Sequence, residues 1–261
     1  MDKYYTNPTI ADKCCKYLNQ VLKIDRQKDL IMEPSAGDGA FINGINKLCE
    51  NTIFIDISPK NIKIQKANFL TYKLQHDSVY NKIYVVGNPP FGFKSSTAIK
   101  FIKHSCKFCH SFAFILPLSF ANKYMQKSIP LQFHLQGHLT LPEYSFIRHN
   151  KPYNVPCVFQ VWCKKSSLRK LYQKSKPIGY KFVKQMQNPD IAVRRVGSKA
   201  GFVYKNNLQE KNPKTFYFIK LNKASYTKNI KNIVSSTKYN VTGPYSLSKD
   251  TIIKKLNKML F

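Results

Sequence analysis

The densest chemistry in this 261-residue chain lies in one hexapeptide, Gly87-Asn88-Pro89-Pro90-Phe91-Gly92. The side-chain oxygen of Asn88 and the backbone carbonyl of Pro89 can each accept one hydrogen of a planar amine. An exocyclic amine on an aromatic ring is a poor nucleophile, because its lone pair is delocalised into the ring. Two acceptors at fixed spacing push such a nitrogen towards tetrahedral geometry and free that pair. Pro90 fixes its own φ and restricts its predecessor, so the loop is stiff. Phe91 offers a face on which a planar guest can stack. A rigid turn is the plain alternative, since Asn-Pro-Pro-aromatic also occurs in ordinary loops.

About 50 residues upstream stands Glu33-Pro34-Ser35-Ala36-Gly37-Asp38-Gly39-Ala40-Phe41. Glycines after a parallel strand let backbone approach a ligand closely, and Gly37 and Gly39 are two of only ten in the chain. Asp56, 17 residues past Gly39, stands where an acid can accept hydrogen bonds from both hydroxyls of a ribose. The three-glycine dinucleotide fingerprint is absent. The spacing suits a nucleoside without pyrophosphate and does not favour a nicotinamide cofactor.

These motifs need an open parallel sheet to hold them. Short apolar runs at residues 30–32, 53–55, 83–86 and 112–116 alternate with helical or polar stretches, the pattern of a doubly wound sheet. Runs at 135–141 and 155–163 would close it. Asn7-Pro8 reads as a helix cap with proline at the first helical position, opening a helix over residues 8–22. Both motifs then follow strands directly, at the carboxyl ends where ligands sit in such sheets.

In that order, the glycine motif strongly resembles the cofactor-binding motif of S-adenosylmethionine-dependent DNA adenine methyltransferases, and Asn88-Pro89-Pro90-Phe91 resembles their catalytic motif. Starting with Asn and ending with Phe, it is closer to the adenine-N6 enzymes than to the cytosine-N4 ones. The resemblance covers residues 4 to about 165 and implies a Rossmann-like, seven-stranded class I methyltransferase sheet. It implies S-adenosyl-L-methionine as cofactor and direct transfer of its methyl group to an adenine amine. Tyr5-Thr6 is similar to the segment that closes over the methionine moiety. Glu33, with Pro34, Ala36, Gly37 and Gly39 after it, corresponds to the acid and turn near the methionine end, and Asp56 to the ribose acid. Asn68-Phe69 stands where that family usually has Asp-Phe against the adenine ring. The cofactor motif precedes the catalytic one, and any recognition segment must follow, which is like the gamma-order enzymes.

Charge points to a polyanionic partner. Lys and Arg number 43 against 13 acids, a formal +30. The 96 residues from Ser166 to Phe261 carry +18 of it, with interleaved aromatics that suggest a small folded lobe. The expected domains are a methyltransferase domain over residues 1–165 and a basic nucleic-acid-recognition lobe over 166–261. Within the lobe, Arg194, Arg195 and Lys199 are the candidate nucleic-acid contacts, as a paired-arginine phosphate grip. No apolar run is long enough to span a bilayer, so no membrane partner is expected. A homodimer or a partner subunit is left open.

Met1-Asp2-Lys3-Tyr4-Tyr5 lacks a secretory pattern, and seven scattered cysteines are no disulfide framework. An intracellular, reducing compartment is expected. His104, Cys106, Cys109 and His110 include one Cys-x-x-Cys step, but no second knuckle follows and no metal is expected. DNA is the first substrate expectation, from the Glu33-Pro34 form of the motif. The short lobe tilts the other way, towards RNA or a partner-dependent enzyme, and a glutamine amide in a protein is disfavoured by the charge. A catalytically silent nucleic-acid-binding subunit of the same fold is the alternative of another class.

Overall fold

Asn7 does cap a helix: its side-chain oxygen accepts from the Thr9 N–H at 3.0 Å, Pro8 takes the first turn, and α1 runs Pro8–Val21. In the computed structural model, which describes residues 4–75, 79–233 and 246–261, the chain divides into two compact units, Met1–Tyr172 and Gln173–Phe261. Met1, Asp2 and Lys3 of the N-terminal stretch lie outside the described residues.

In the first unit the chain forms β1 (Tyr5–Thr6), α1, β2 (Leu30–Glu33), α2 (Ile42–Leu48), β3 (Asn51–Asp56), β4 (Gln65–Lys66) and β5 (Ile83–Gly87). There follow α3 (Ser96–Ser105), β6 (Ser111–Pro117), β7 (Phe133–Thr140), β8 (Phe146–Arg148), β9 (Lys151–Tyr153) and β10 (Cys157–Lys164). Seven of these strands make one sheet in the order β4-β3-β2-β5-β6-β10-β7. The first five are mutually parallel, and β10 runs antiparallel to both its neighbours. This is the seven-stranded Rossmann-like sheet that the sequence led us to expect.

Alternation across the pleat explains both faces. Ile31, Tyr84, Val86, Ala113, Ile115, Phe159 and Val161 pack under α1 and α2 with Ala11, Cys14, Leu18 and Ile45. Their neighbours Leu30, Met32, Val85, Phe112, Phe114 and Trp162 pack on the opposite face with Ala98 and Ile102 of α3. Central strands covered on both faces are apolar up to their ends, which is why residues 30–32 and 83–86 read as unbroken runs. The order reverses between β3-β2 and β5-β6, and the crevice beyond the ends of β2 and β5 is where such sheets bind ligands.

A second, smaller sheet lies beside this one, in the order β1-β8-β9. Tyr5 pairs with Ile147 and Thr6 with Phe146, so the N-terminal segment is tied to residues some 140 positions away.

The unit boundary falls later than the expected 165/166. Arg169 belongs with the first unit: its guanidinium donates to the carbonyls of Gln126, Ile129 and Phe133 at 2.9–3.1 Å and stacks over Trp162. These bonds carry the chain past Ser166 before it leaves the first core.

The second unit holds β11 (Tyr180–Val183), β12 (Ile191–Arg194), β13 (Val203–Tyr204), β14 (Phe216–Leu221) and α4 (Lys249–Leu260). The strands form an antiparallel sheet in the order β11-β14-β12-β13. Ile252 and Leu256 of α4 pack with Tyr180, Ile191, Val193 and Ile219. Ala192, Phe216 and Phe218 form a smaller cluster with Val183, Tyr204 and Leu208. Most of the aromatics interleaved with its lysines are therefore core.

Candidate active site

Three strand ends deliver the polar groups. Glu33 closes β2, Asp56 closes β3, and Asn88 follows β5 directly. One cavity of about 800 Å³ is lined by all three, together with Tyr4, Tyr5 and Thr6, the 34–38 turn, Asn68, Phe69 and Pro89 to Phe93.

Glu33 is the unusual member. It is 2% exposed, and its Oε2 has no hydrogen-bond partner. Burial pushes its carboxyl well above the usual range, with the nearby charges of Asp38 and Asp56 adding to the effect. Asp38, which also lines the cavity, is raised by burial too, against the backbone N–H groups of Ala40 and itself. A chain of formal charge +30 thus has a cleft walled by three acids. That environment suits a cationic ligand. A buried acid with an unpartnered oxygen is costly unless a donor arrives to satisfy it.

Asp56 organises the turn. It accepts from the Gly37 N–H at 2.9 Å and from the Ser58 N–H at 2.7 Å. Gly37 faces the Tyr5 ring, over which Lys60 also sits. Gly39, expected beside the ligand, does not line the cavity. At φ +95° it closes the turn, its N–H bonding the Ala36 carbonyl, and any side chain there would meet Ile42 and Asn61. The glycine is needed for backbone conformation and not for ligand approach.

The Asn88–Phe91 loop is fixed at both ends. Asn88 Nδ2 donates to the Thr6 hydroxyl at 3.1 Å and to the Tyr4 carbonyl at 3.5 Å, while the Asn88 carbonyl accepts from Ser35 at 3.0 Å. With the amide nitrogen turned towards β1, the side-chain oxygen is the group left to accept. Downstream, the Phe91 carbonyl accepts from the Thr97 and Ala98 N–H groups at the start of α3. Gly92, at φ +70°, lets the chain pass against α3, since a side chain there would overlap the Thr97 hydroxyl. Lys94 and Ser95 then adopt left-handed φ values of 50° and 63°, costing roughly 1–2 kcal/mol each.

On the far wall, Phe69 is buried against Phe101 and His104. Asn68 Oδ1 is engaged by the Leu70 N–H at 3.1 Å, so what this residue can offer a ligand is its amide nitrogen. An Asp here could only accept.

The cavity therefore gathers Tyr5, Thr6, Glu33, Pro34, Ala36, Gly37, Asp56, Asn68, Phe69 and Asn88 to Phe91, all singled out from sequence. It adds Tyr4, Asp38, Ile57, Phe93, Phe101 and Val155, which were not. Asp38 was legible within the glycine motif. Ile57, 65% exposed directly after Asp56, could have been found as an apolar residue following the expected ribose acid.

In the second unit the arginine pair is not a pair. Arg194 ends β12 and Arg195 lies just beyond it, and the rings they cover, Phe216 and Tyr217, are consecutive in β14 and so face opposite sides of that sheet. Arg194 lies over Phe216 and bonds the Val196 carbonyl, whereas Arg195 lies over Tyr217 and its hydroxyl. They cannot grip one phosphate together. Lys199 is exposed in the turn between Gly197 and Gly201. Among the described residues no three His, Cys, Asp or Glu side chains converge as a metal site, and no helix is long and apolar enough to cross a membrane.

No family model matches this chain, and no curated protein does. Solved structures do resemble it. A Pyrococcus horikoshii protein described provisionally as an RNA methyltransferase aligns at TM-score 0.47 and 16% identity, over 62% of this chain and 87% of that one. Thermoplasma acidophilum 1320 aligns at 0.47 and 15%, over 62% and 89%. An rRNA methylase from Streptococcus thermophilus aligns at 0.39 and 11%, over 63% and 98%. Likeness at this level assigns no activity; what the site can do follows from its own geometry.

Proposed function

We propose that the protein transfers a methyl group from S-adenosyl-L-methionine to the N6 amino group of adenine in nucleic acid, with DNA as the first substrate. The observation that carries this is a single cavity joining Glu33, a buried acid with one unpartnered oxygen, to the Asn88–Phe91 loop. The residues present fit the cofactor. Glu33 would take its α-ammonium, Tyr5 and Thr6 would cover the methionine, Asp56 would hold the ribose, and Asn68, Phe69 and Ile57 would enclose the adenine. The bound cofactor supplies an electrophilic methyl on a sulfonium centre, whose positive charge also suits the acidic walls.

The rest is the work of this chain. Asn88 Oδ1 and the Pro89 carbonyl accept the two hydrogens of the target amine and turn its lone pair out of the ring. Phe91 stacks on the extruded base. The methylated nitrogen is acidic enough to lose its proton to solvent, so no side-chain base is required. The basic second unit would hold the polyanion through its many lysines.

Asn88→Ala tests this reading. Transfer should fall at least about a hundredfold, near 2.7 kcal/mol of transition-state stabilisation, while calorimetric affinity for S-adenosylmethionine stays within a few-fold. A fully active variant would contradict the mechanism, and absence of any cofactor binding by the unaltered protein would favour a silent binding subunit.

A further inference from the structure

One aromatic and basic cluster adjoins the cleft without taking part in the chemistry above. Tyr4, which lines the cavity, stacks on Tyr153 of β9, with ring centroids 5.2 Å apart and an interplanar angle of 18°. The Arg148 guanidinium lies over both rings, 5.7 Å from one centroid and 5.4 Å from the other. The hairpin between β8 and β9 turns through His149 and Asn150, both at left-handed φ, and from Arg148 to Tyr153 it carries no acid. Tyr153 is 36% exposed. Phe93, also on the cavity lining, is 81% exposed, and two residues at left-handed φ follow it directly.

Strain and exposed aromatic rings are both unfavourable for a free surface, and here they coincide beside one opening. The chemistry that such rings reward is the flat face of an unstacked base, with a cation beside it for the phosphate. A duplex hides those faces in its own stack and presents only edges and phosphates.

We infer that the cleft mouth binds an unpaired polynucleotide strand, bases flanking the target stacking on Phe93 and Tyr153 with a phosphate beside Arg148. This rests on the nucleic-acid substrate proposed above and narrows it to unpaired strands. Base stacking of this kind is tolerant of sequence, so affinity does not require an adenine.

Fluorescence anisotropy with labelled oligothymidine, oligouridine and a duplex of equal length, with S-adenosylhomocysteine present, tests the inference. Both single strands contain no adenine, so binding is read whether or not methyl transfer occurs. A unpaired strand of either sugar should bind more tightly than the duplex, and the two arms show which sugar is preferred. Tyr153→Ala and Phe93→Ala should each weaken single-strand binding about tenfold, with duplex binding little changed. Tyr153→Phe, which keeps the ring, should restore it and separates stacking from loss of the hairpin. Duplex affinity equal to or above that of both single strands, or alanine variants of unchanged affinity, would overturn the proposal.

Discussion

Glu33 in the first unit and Asp190 in the second are both acids at strand ends, and they are pushed in opposite directions. Glu33 is raised by burial, and one of its oxygens has no partner. Burial pushes Asp190 up as well, but the hydrogen bond from Lys220 at 2.9 Å and the Leu221 N–H at 2.7 Å outweigh it and hold its carboxyl below the usual value. The satisfied acid ties β12 to β14 and asks nothing of a ligand. The unsatisfied one is a poor choice for stability and a good one for recognising an ammonium. The two units divide the work likewise, an acidic cleft in one and a solvated excess of lysine in the other.

Salt should separate these two kinds of electrostatics by the widest margin. Nucleic-acid affinity measured by anisotropy should fall by roughly a thousandfold between about 50 and 200 mM salt, because counterions are released on binding. Cofactor affinity, set inside a buried cleft, should change only a few-fold over the same range. A flat response of the nucleic-acid arm would break the contrast.

Gly92→Ala should come next. The added methyl group would overlap the Thr97 hydroxyl and displace the loop that carries Asn88. Turnover is expected to drop about a hundredfold with modest change in cofactor affinity, since the 33–56 wall is untouched. Normal turnover would show that the loop tolerates movement.

Glu33→Gln sharpens the comparison from the other side. Cofactor affinity should weaken about thirtyfold, as the ammonium loses its charged acceptor. Stability should move the opposite way. A carboxyl raised above its ordinary 4.5 in the folded state contributes most below that pH and loses ground as pH rises towards its folded value. The variant should lack that decline and melt higher than the unaltered protein at pH 7. Cofactor binding to the unaltered protein should also release protons, read by calorimetry in two buffers of different ionisation enthalpy.

Asp190→Asn is the smallest of the four. It should lower the melting temperature by a few degrees at pH 7. A depressed acid contributes above its ordinary 3.8, and that contribution is lost as pH falls through the folded value, so the difference should close in acid. A difference that persisted there would mean packing and not charge.

Much of the first unit was legible before its structure. Strands buried on both faces leave continuous apolar runs, and Asn7-Pro8 is a cap by chemistry alone. Loops that follow such strands inherit their position, which is why Glu33, Asp56 and Asn88 could be placed together. What escaped was short or depended on facing. β1, β8 and β9 are two or three residues each, too brief to show a period of two, and their turn at His149-Asn150 has no glycine to announce it. Gly39 looked like a ligand contact because its neighbour Gly37 is at the cleft, and only the turn geometry separates them. Arg194 and Arg195 looked like a pair because adjacency in sequence hides that they lie over Phe216 and Tyr217, on opposite faces of β14. Phe93 is exposed and is followed by two left-handed residues that no local pattern predicts.

The most direct measurement is to incubate the 261-residue chain with tritiated S-adenosylmethionine and parallel pools of DNA, RNA and protein, digest each, and identify the labelled product. The account predicts label in N6-methylated adenine nucleoside, recovered from nucleic acid and lost with Asn88→Ala. Label on another base or in the protein pool, or none in any pool despite measurable cofactor binding, would contradict it.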